Sequence, residues 1–527
     1  MRTSTVLATF LTTTLLGGAL AACGDFEGAG GYHGPSYSQD LAEPAPGDKY
    51  EAVGTNPFVV AEHDPFSTFA TDVDTASYDI FRRDIGERNA LPDPASVRLE
   101  EFVNAFDYGY PAPAAGAEHP FTVALDAAPL PIGDTVLFRV GLHARELPAD
   151  ERPPANLVFL VDVSGSMSAS NKLPLVKVVL RELVTTLRPT DRIAIVTYAS
   201  GERVALESTR VSESAAILHA IDRLSAGGST AGQAGLARAY DVAEGAFMEG
   251  GVNHVVLCTD GDFNVGITST DALVAFIEGK RDGGVTLTAL GFGYGNLNDA
   301  MMERVTNAGN GSYAVITDED HAIQYANQDL WRTIFLVARD TKIQVVFNPD
   351  HVRAYRLLGY ENRALADDAF TDDRVDAGEV GAGHTVTALY ELVLDAGSIP
   401  DASGAPQLDD GAAWDGEPVL LAPSALAEVR VRYRGADPHD ASPARELRTQ
   451  LAREDVRASW QDAETDTRFA TAVALFAEIL KGSPFASRYD LAGVAAELNA
   501  CAGDASDRLE LLDAFNRART LLTSGEL

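Results

Sequence analysis

The 527-residue chain carries 77 acidic and 41 basic side chains, a formal charge of -36, and 46% apolar residues. That balance excludes a nucleic-acid binder, because a phosphate backbone is met by a basic footprint and no long basic patch occurs here. The apolar content fills globular cores, the length fits about three domains, and the acidity favours cations or basic partners without identifying a ligand.

The first element is the apolar, Thr-rich run Val6 to Leu20 behind Arg2. It is too short for a membrane span and leads into small residues, so residues 1–22 read as a signal peptide. Leu20-Ala21-Ala22-Cys23 resembles a bacterial lipobox, which implies cleavage before Cys23 and lipid on its sulfur and new amino terminus. Gly24, rather than Asp, in the next position favours the outer over the inner membrane and leaves periplasmic or surface orientation open. Residues 23–50 are then the lipidated Cys and a flexible tether rich in Gly, Pro, Ser and Tyr, with a reach of roughly 30 Å.

Residues 51–152 form an N-terminal region of helices followed by strands. Thr75 or Ser77 starts a helix through Phe81 and Ile85, and Ser96 caps another carrying Val97, Phe102, Val103 and Phe106. Phe121 to Leu125 and Val136 to His143 read as strands. Asp72-Val73-Asp74-Thr75 resembles the nucleophile loop of haloacid-dehalogenase-type phosphatases, but that chemistry requires a buried strand immediately before it. Ser67 to Thr71 is a poor strand, which disfavours that reading.

Residues 153–335 alternate strand and helix. Strands are expected at 156–162, 192–199, 202–208, 253–259, 284–292 and 312–316, and helices near 172–187, 213–224, 232–247, 270–282 and 299–308. The short link Ser200-Gly201 permits a hairpin at one edge; the remaining connections require helical crossovers and a parallel sheet covered on both faces. Cys258, inside an apolar strand, is expected as a buried free thiol; the pairing of Cys258 and Cys501 is otherwise open.

The chemistry of this segment lies in three loops. Asp162-Val163-Ser164-Gly165-Ser166 follows the apolar run Leu157 to Val161 and supplies hard oxygen ligands at a strand's carboxyl end, which suits Mg²⁺. Gly227 to Gly232 opens a helix, and Thr259-Asp260-Gly261 ends another apolar strand. This order resembles the metal-ion-dependent adhesion site of von Willebrand factor type A domains. The resemblance implies a Rossmann-like α/β domain that binds Mg²⁺ or Mn²⁺ through Asp162, Ser164, Ser166, Thr230 and Asp260. It further implies that the ion's open position takes an acidic side chain of a protein partner.

Residues 336–527 read first as β, with strands at Lys342 to Phe347, Ala354 to Leu358, His384 to Val393 and Ala427 to Tyr433. Two strands before the α/β segment cannot stand alone, so the expected architecture is one β-sandwich built from both flanks with the α/β domain inserted. His384 reads as structural. Pro400 to Pro418 is a Gly, Asp and Ala-rich loop, expected to be disordered. Helices follow, with Phe469, Val473, Phe476 and Leu480 on one buried face and Leu509, Leu512 and Phe515 continuing similarly.

Phe69 to Tyr78, Leu91-Pro92, Val97 to Glu101, Tyr355 to Arg363 and Asp376 to Glu391 resemble the companion domains of a bacterial family of envelope von Willebrand factor A proteins. The expected function is a lipid-anchored, divalent-metal-dependent protein-binding module that is not an enzyme. The alternatives are a structural envelope protein whose metal only ties loops together, and a metal-assisted hydrolase or phosphatase. The last lacks a Gly-x-Ser-x-Gly elbow or a His-Glu-x-x-His helix.

Overall fold

The computed structural model describes residues 47–71, 74–148, 150–228, 235–261, 270–375, 377–409, 411, 420–437 and 442–524. Cys23, Asp72 and Thr230 lie outside the described residues, as do the rest of residues 1–46, expected as signal peptide and most of the tether, and residues 410 and 412–418 of the Pro400 to Pro418 loop.

The inserted domain is built on a six-stranded sheet. Its order is Tyr313–Ile316, Thr286–Phe292, Val252–Thr259, Ala155–Asp162, Arg192–Tyr198 and Glu202–Arg210. All neighbours are parallel except the last pair, where the hairpin at Ser200-Gly201 turns the edge strand antiparallel. Ala155–Asp162 is buried at every position, as expected of an apolar run covered on both faces. Leu173–Thr186 and Ser214–Asp222 cover one face with the run from Glu319 to Ile334. Gly235–Gly245, Thr270–Asp282 and Asp299–Ala308 cover the other. The helical run 319–334 escapes the sequence reading because a π turn at Tyr325–Asp329 interrupts its 3.6-residue period.

The flanks form the β-sandwich. One sheet orders Val59–Val60, Val352–Leu358, Thr385–Leu394, Thr135–Ala144 and Phe121–Pro129; the other orders Ala364–Leu365, Phe66–Ala70, Leu336–Phe347, Ala425–Gly435 and Arg445–Ala452. Their inner faces share one apolar core that includes Phe69, Phe138, Val345, Tyr390 and Val429. Each sheet mixes strands from before and after the α/β domain, so that domain is an insertion.

Several expectations need correction. Four strands, not two, precede the insertion, and Ser67 to Ala70 do belong to one. Phe66–Ala70 pairs antiparallel with Leu336–Phe347 from Phe66↔Val346 to Ala70↔Lys342. Its Ser and Thr side chains are accommodated by hydrogen bonds, such as Thr68 to Asp367 at 2.8 Å. Ser96 ends a 3₁₀ turn, and the helix Leu99–Val103 takes Arg98 as its N-cap residue. In the last helix Phe515 is buried and Leu512 packs against the core as expected, but Leu509 is 46% exposed and Leu511 is buried in its place.

The last residues of the segment expected as tether, 47–50, are packed. The Asp48 side chain is buried, and its Oδ1 accepts hydrogen bonds from the amides of Gly295 and Leu297, each at 2.8 Å. Its Oδ2 pairs with Arg83 at 3.1 Å. Gly47 to Tyr50 are therefore part of the folded molecule.

The N- and C-terminal helices meet in a single layer. Ala76–Arg83, Leu99–Val103, Thr465–Lys481, Leu491–Cys501 and Ser506–Ser524 share a core with Leu137, Leu358 and Leu389 of the first sandwich sheet. Phe81 meets Phe476 and Phe106 meets Phe469, both edge to face. The opposite side of Ala76–Arg83 serves the inserted domain, because Ala76 and Ile80 belong to the core under its sheet. Among the described residues no helix is long and apolar enough to cross a membrane.

Candidate functional site

Parallel pairing of Ala155–Asp162 with Val252–Thr259 sets Val161 opposite Cys258. Asp162 and Asp260 therefore leave the sheet side by side at its carboxyl edge. The second loop is tied to the first. Gly227 N donates to Val163 O at 2.8 Å, and Gly165 N donates to Gly228 O at 3.1 Å. Gly228 adopts φ +94°, where a Cβ would lie 2.7 Å from the Ser200 hydroxyl, so this turn requires glycine. Gly261, at φ +104°, abuts the backbone of Asn296 and Leu297, where a Cβ would stand 2.2 Å from the Asn296 carbonyl oxygen. The Thr-Asp-Gly turn is thus braced by the same loop that Asp48 holds from the other side.

Within this frame the first loop is organised by its own polar groups. Asp162 Oδ1 accepts the Ser164 amide at 2.7 Å, and the hydroxyls of Ser164 and Ser166 are 2.8 Å apart. Asp162, Ser164 and Asp260 are buried. Burial pushes the Asp162 carboxyl above its ordinary range; the Ser164 amide opposes that rise, and the neighbouring Asp260 charge adds to it.

The donor set passes a test for a divalent cation. Asp260 Oδ1 is buried without a hydrogen bond, and Asp162 Oδ2 accepts none at bonding geometry, with the Tyr198 hydroxyl lying nearby. Buried carboxylate oxygens without donors cost several kcal/mol unless a cation or proton meets them. Two carboxylates and two hydroxyls form an all-oxygen set of the kind Mg²⁺ and Mn²⁺ take. Four of the five expected ligands are thus brought to one edge; Thr230 is beyond the described residues, although the loop leading to it is fixed as far as Gly228.

Residues 156–329 match the von Willebrand factor type A domain model. The chain carries a von Willebrand factor type A domain. Residues 45–137 match a second model described as von Willebrand factor, and residues 332–521 match the C-terminal domain described for the uncharacterized protein YfbK. The chain is 42% identical over 352 residues to the uncharacterized protein YfbK of Escherichia coli, covering 66% of this chain and 61% of that protein. It is 28% identical over 192 residues to a human inter-alpha-trypsin inhibitor heavy chain, covering 34% of this chain and 20% of that protein. The chain thus spans less than two thirds of the length of each. A solved von Willebrand factor type A protein from Catenulispora acidiphila aligns over 77% of this chain and 88% of its own, at 17% identity and a TM-score of 0.41.

Sequence reasoning missed one charged residue at the site. Lys172 Nζ donates to Asp260 Oδ2 at 2.8 Å, with both residues buried. Its only sequence signal was a basic residue six positions after Ser166, ahead of the Pro174 helix start.

Two other candidates resolve differently. Asp74, Glu101 and Glu303 bring carboxylate oxygens within 4.8 Å of one another. Guanidinium groups already stand among them: Arg363 reaches Glu303 at 2.9 Å and Asp74 at 3.3 Å, and Arg98 pairs with Glu101. This is an ion-pair cluster joining the N-terminal region, the type A domain and the sandwich. It also bears on the phosphatase reading, whose loop does follow a strand. That strand lies in an antiparallel sheet, and Asp74 is buried with its Oδ1 accepting the Tyr313 amide at 2.8 Å and its Oδ2 paired with Arg363 at 3.3 Å, so both oxygens are engaged by the protein. His384 stands just before the strand Thr385–Leu394, and burial lowers its imidazole to about 4. Cys258 and Cys501 are both buried free thiols.

Proposed function

We propose that this chain is a lipid-anchored envelope protein whose type A domain binds a divalent cation and, through it, an acidic side chain of a protein partner. The observation that carries the reading is the pair of buried carboxylate oxygens, Asp162 Oδ2 and Asp260 Oδ1, left without hydrogen bonds where two parallel strands end. Asp162, Ser164, Ser166, Thr230 and Asp260 would hold Mg²⁺ or Mn²⁺, and the ion would supply a Lewis-acidic position for a carboxylate. The protein's own contribution is a fixed, partly dehydrated ring of oxygens at a loop edge.

The role is binding rather than catalysis. The groups around the site are hydroxyls, carboxylates and the Lys172 ammonium. His254, near the far end of the strand that Asp260 follows, is buried against Thr286, and burial lowers its imidazole to about 3, so it offers no effective base there. A purely loop-tying metal is also disfavoured, since the Gly227 and Gly228 hydrogen bonds and the Lys172 pair already tie the loops.

Anchoring rests on Leu20-Ala21-Ala22-Cys23. Cys23→Ala should release soluble protein or leave uncleaved precursor; unchanged maturation and membrane fractionation would remove the anchor from this account. For the binding role, immobilised protein should capture an envelope partner in Mg²⁺, lose it in chelator, and fail to capture it as Asp162→Ala. Capture indifferent to both would leave the structural-protein reading.

A further inference from the structure

Lys172 occupies a position that local rules select against. It is the N-cap residue of Leu173–Thr186, where a cation opposes the helix dipole and a lysine supplies no oxygen to the free amides. A residue that breaks local rules is explained by what its side chain does elsewhere. Here the stem runs beneath the turn that follows Thr286–Phe292. Gly293, at φ +72°, has no Cβ; one added there would lie 2.4 to 3.2 Å from three carbons of the Lys172 side chain. The slot therefore requires glycine. Arg83 holds this turn from the far side by donating to Gly293 O at 3.2 Å.

The ammonium ends on Asp260, 2.8 Å from Oδ2, while Oδ1 of the same carboxylate has no hydrogen bond. One oxygen thus meets a cation belonging to the chain, and the other is left for a cation from solution. We propose that Lys172 is a built-in counter-cation that sets the charge of the metal site, weakening metal affinity and strengthening the loaded site's preference for a carboxylate ligand. The arithmetic is direct. Asp162 and Asp260 alone would neutralise one divalent ion completely; with Lys172 added, the loaded site carries one surplus positive charge, which a monocarboxylate cancels. In the empty site the ammonium offsets part of the repulsion between two buried carboxylates. This inference rests on the metal-binding reading above.

The test uses the full chain with Mn²⁺ as the metal and acetate as the carboxylate probe, comparing wild type with Lys172→Met, Lys172→Gln and Gly293→Ala. The glycine variant displaces the lysine stem without altering any ligand. Calorimetry should show Mn²⁺ binding at least about tenfold tighter in both lysine variants, the scale expected from removing a charge within several ångströms of the ion, with Gly293→Ala shifted the same way. Melting in chelator should fall relative to wild type, and the rise on adding Mn²⁺ should grow. Acetate titrated into the Mn²⁺-loaded proteins, read by loss of water-proton relaxation, should bind wild type more tightly than the lysine variants. Wild type that fails to bind Mn²⁺ would overturn the metal reading and this inference with it. Wild type that binds Mn²⁺ with the same affinity as all three variants would overturn this inference alone.

Discussion

Arg98 grips Asp299 with both terminal guanidinium nitrogens, Nη1 to Oδ2 at 2.8 Å and Nη2 to Oδ1 at 3.1 Å, and both side chains are buried. Arg98 begins a helix of the N-terminal region, and Asp299 begins a helix of the type A domain, two hundred residues further on. The fork-to-carboxylate geometry fixes orientation as well as distance, so these modules are held in one register.

Asp299→Ala should therefore destabilise the whole chain. It leaves a buried guanidinium with one carboxylate fewer, and breaking a buried pair from one side costs about 3–5 kcal/mol. Urea unfolding should show the loss as a single shifted transition. A loss below 1 kcal/mol, or a separate early transition of the type A domain, would contradict the coupling.

The sandwich requires both flanks. In residues 335–440 alone, Leu336–Phe347 loses its partner Phe66–Ala70, and Thr385–Leu394 loses Thr135–Ala144 along nine paired positions. Unpaired buried strand edges leave backbone groups unsatisfied. That fragment should show no cooperative thermal transition by circular dichroism; a stable, cooperatively unfolding fragment would count against the composite domain.

Strand content was legible where apolar runs are continuous, as in Leu157 to Val161 and Val255 to Cys258, because burial on both faces keeps polar residues to the ends of the run. Arg445–Ala452 was not, since in an edge strand of Arg, Glu, Thr and Gln all but Leu451 are at least partly open to solvent. Phe66–Ala70 hid for a related reason: its Ser and Thr are satisfied by partners some three hundred residues away. The candidate metal ligands were legible because they cluster in short motifs. Lys172 was not, because its role depends on a glycine slot more than a hundred residues further along the chain.

Asp79 gives a pH test. Burial raises its carboxyl to about 7 against an ordinary 3.8, with the Arg82 charge and the Val315 amide opposing the rise. The native state then holds a proton that the unfolded chain has released, so this group's contribution to stability is full below about pH 4 and is lost as pH rises toward 7. Asp79→Asn, which keeps an oxygen for the Val315 amide, should flatten the decline and melt above wild type at pH 8. Each unit of displacement corresponds to about 1.4 kcal/mol. An unchanged melting profile between pH 4 and 8 would remove Asp79 from the pH response.

Thr230→Ala separates metal capture from partner capture. It removes a neutral ligand and leaves the two carboxylates in place, so metal affinity should fall less than metal-dependent partner binding. Calorimetry beside a quantitative pull-down reads both, and a larger loss in metal affinity than in partner capture would contradict the assignment.

The most direct test of the central claim is calorimetric titration of Mg²⁺ and Mn²⁺ into the chelator-stripped full chain, beside Asp162→Ala. One binding site per chain with a rise in melting temperature, both abolished in the variant while its circular dichroism is retained, is the predicted result. No heat and no melting shift in the wild-type chain would contradict a metal-dependent type A domain here.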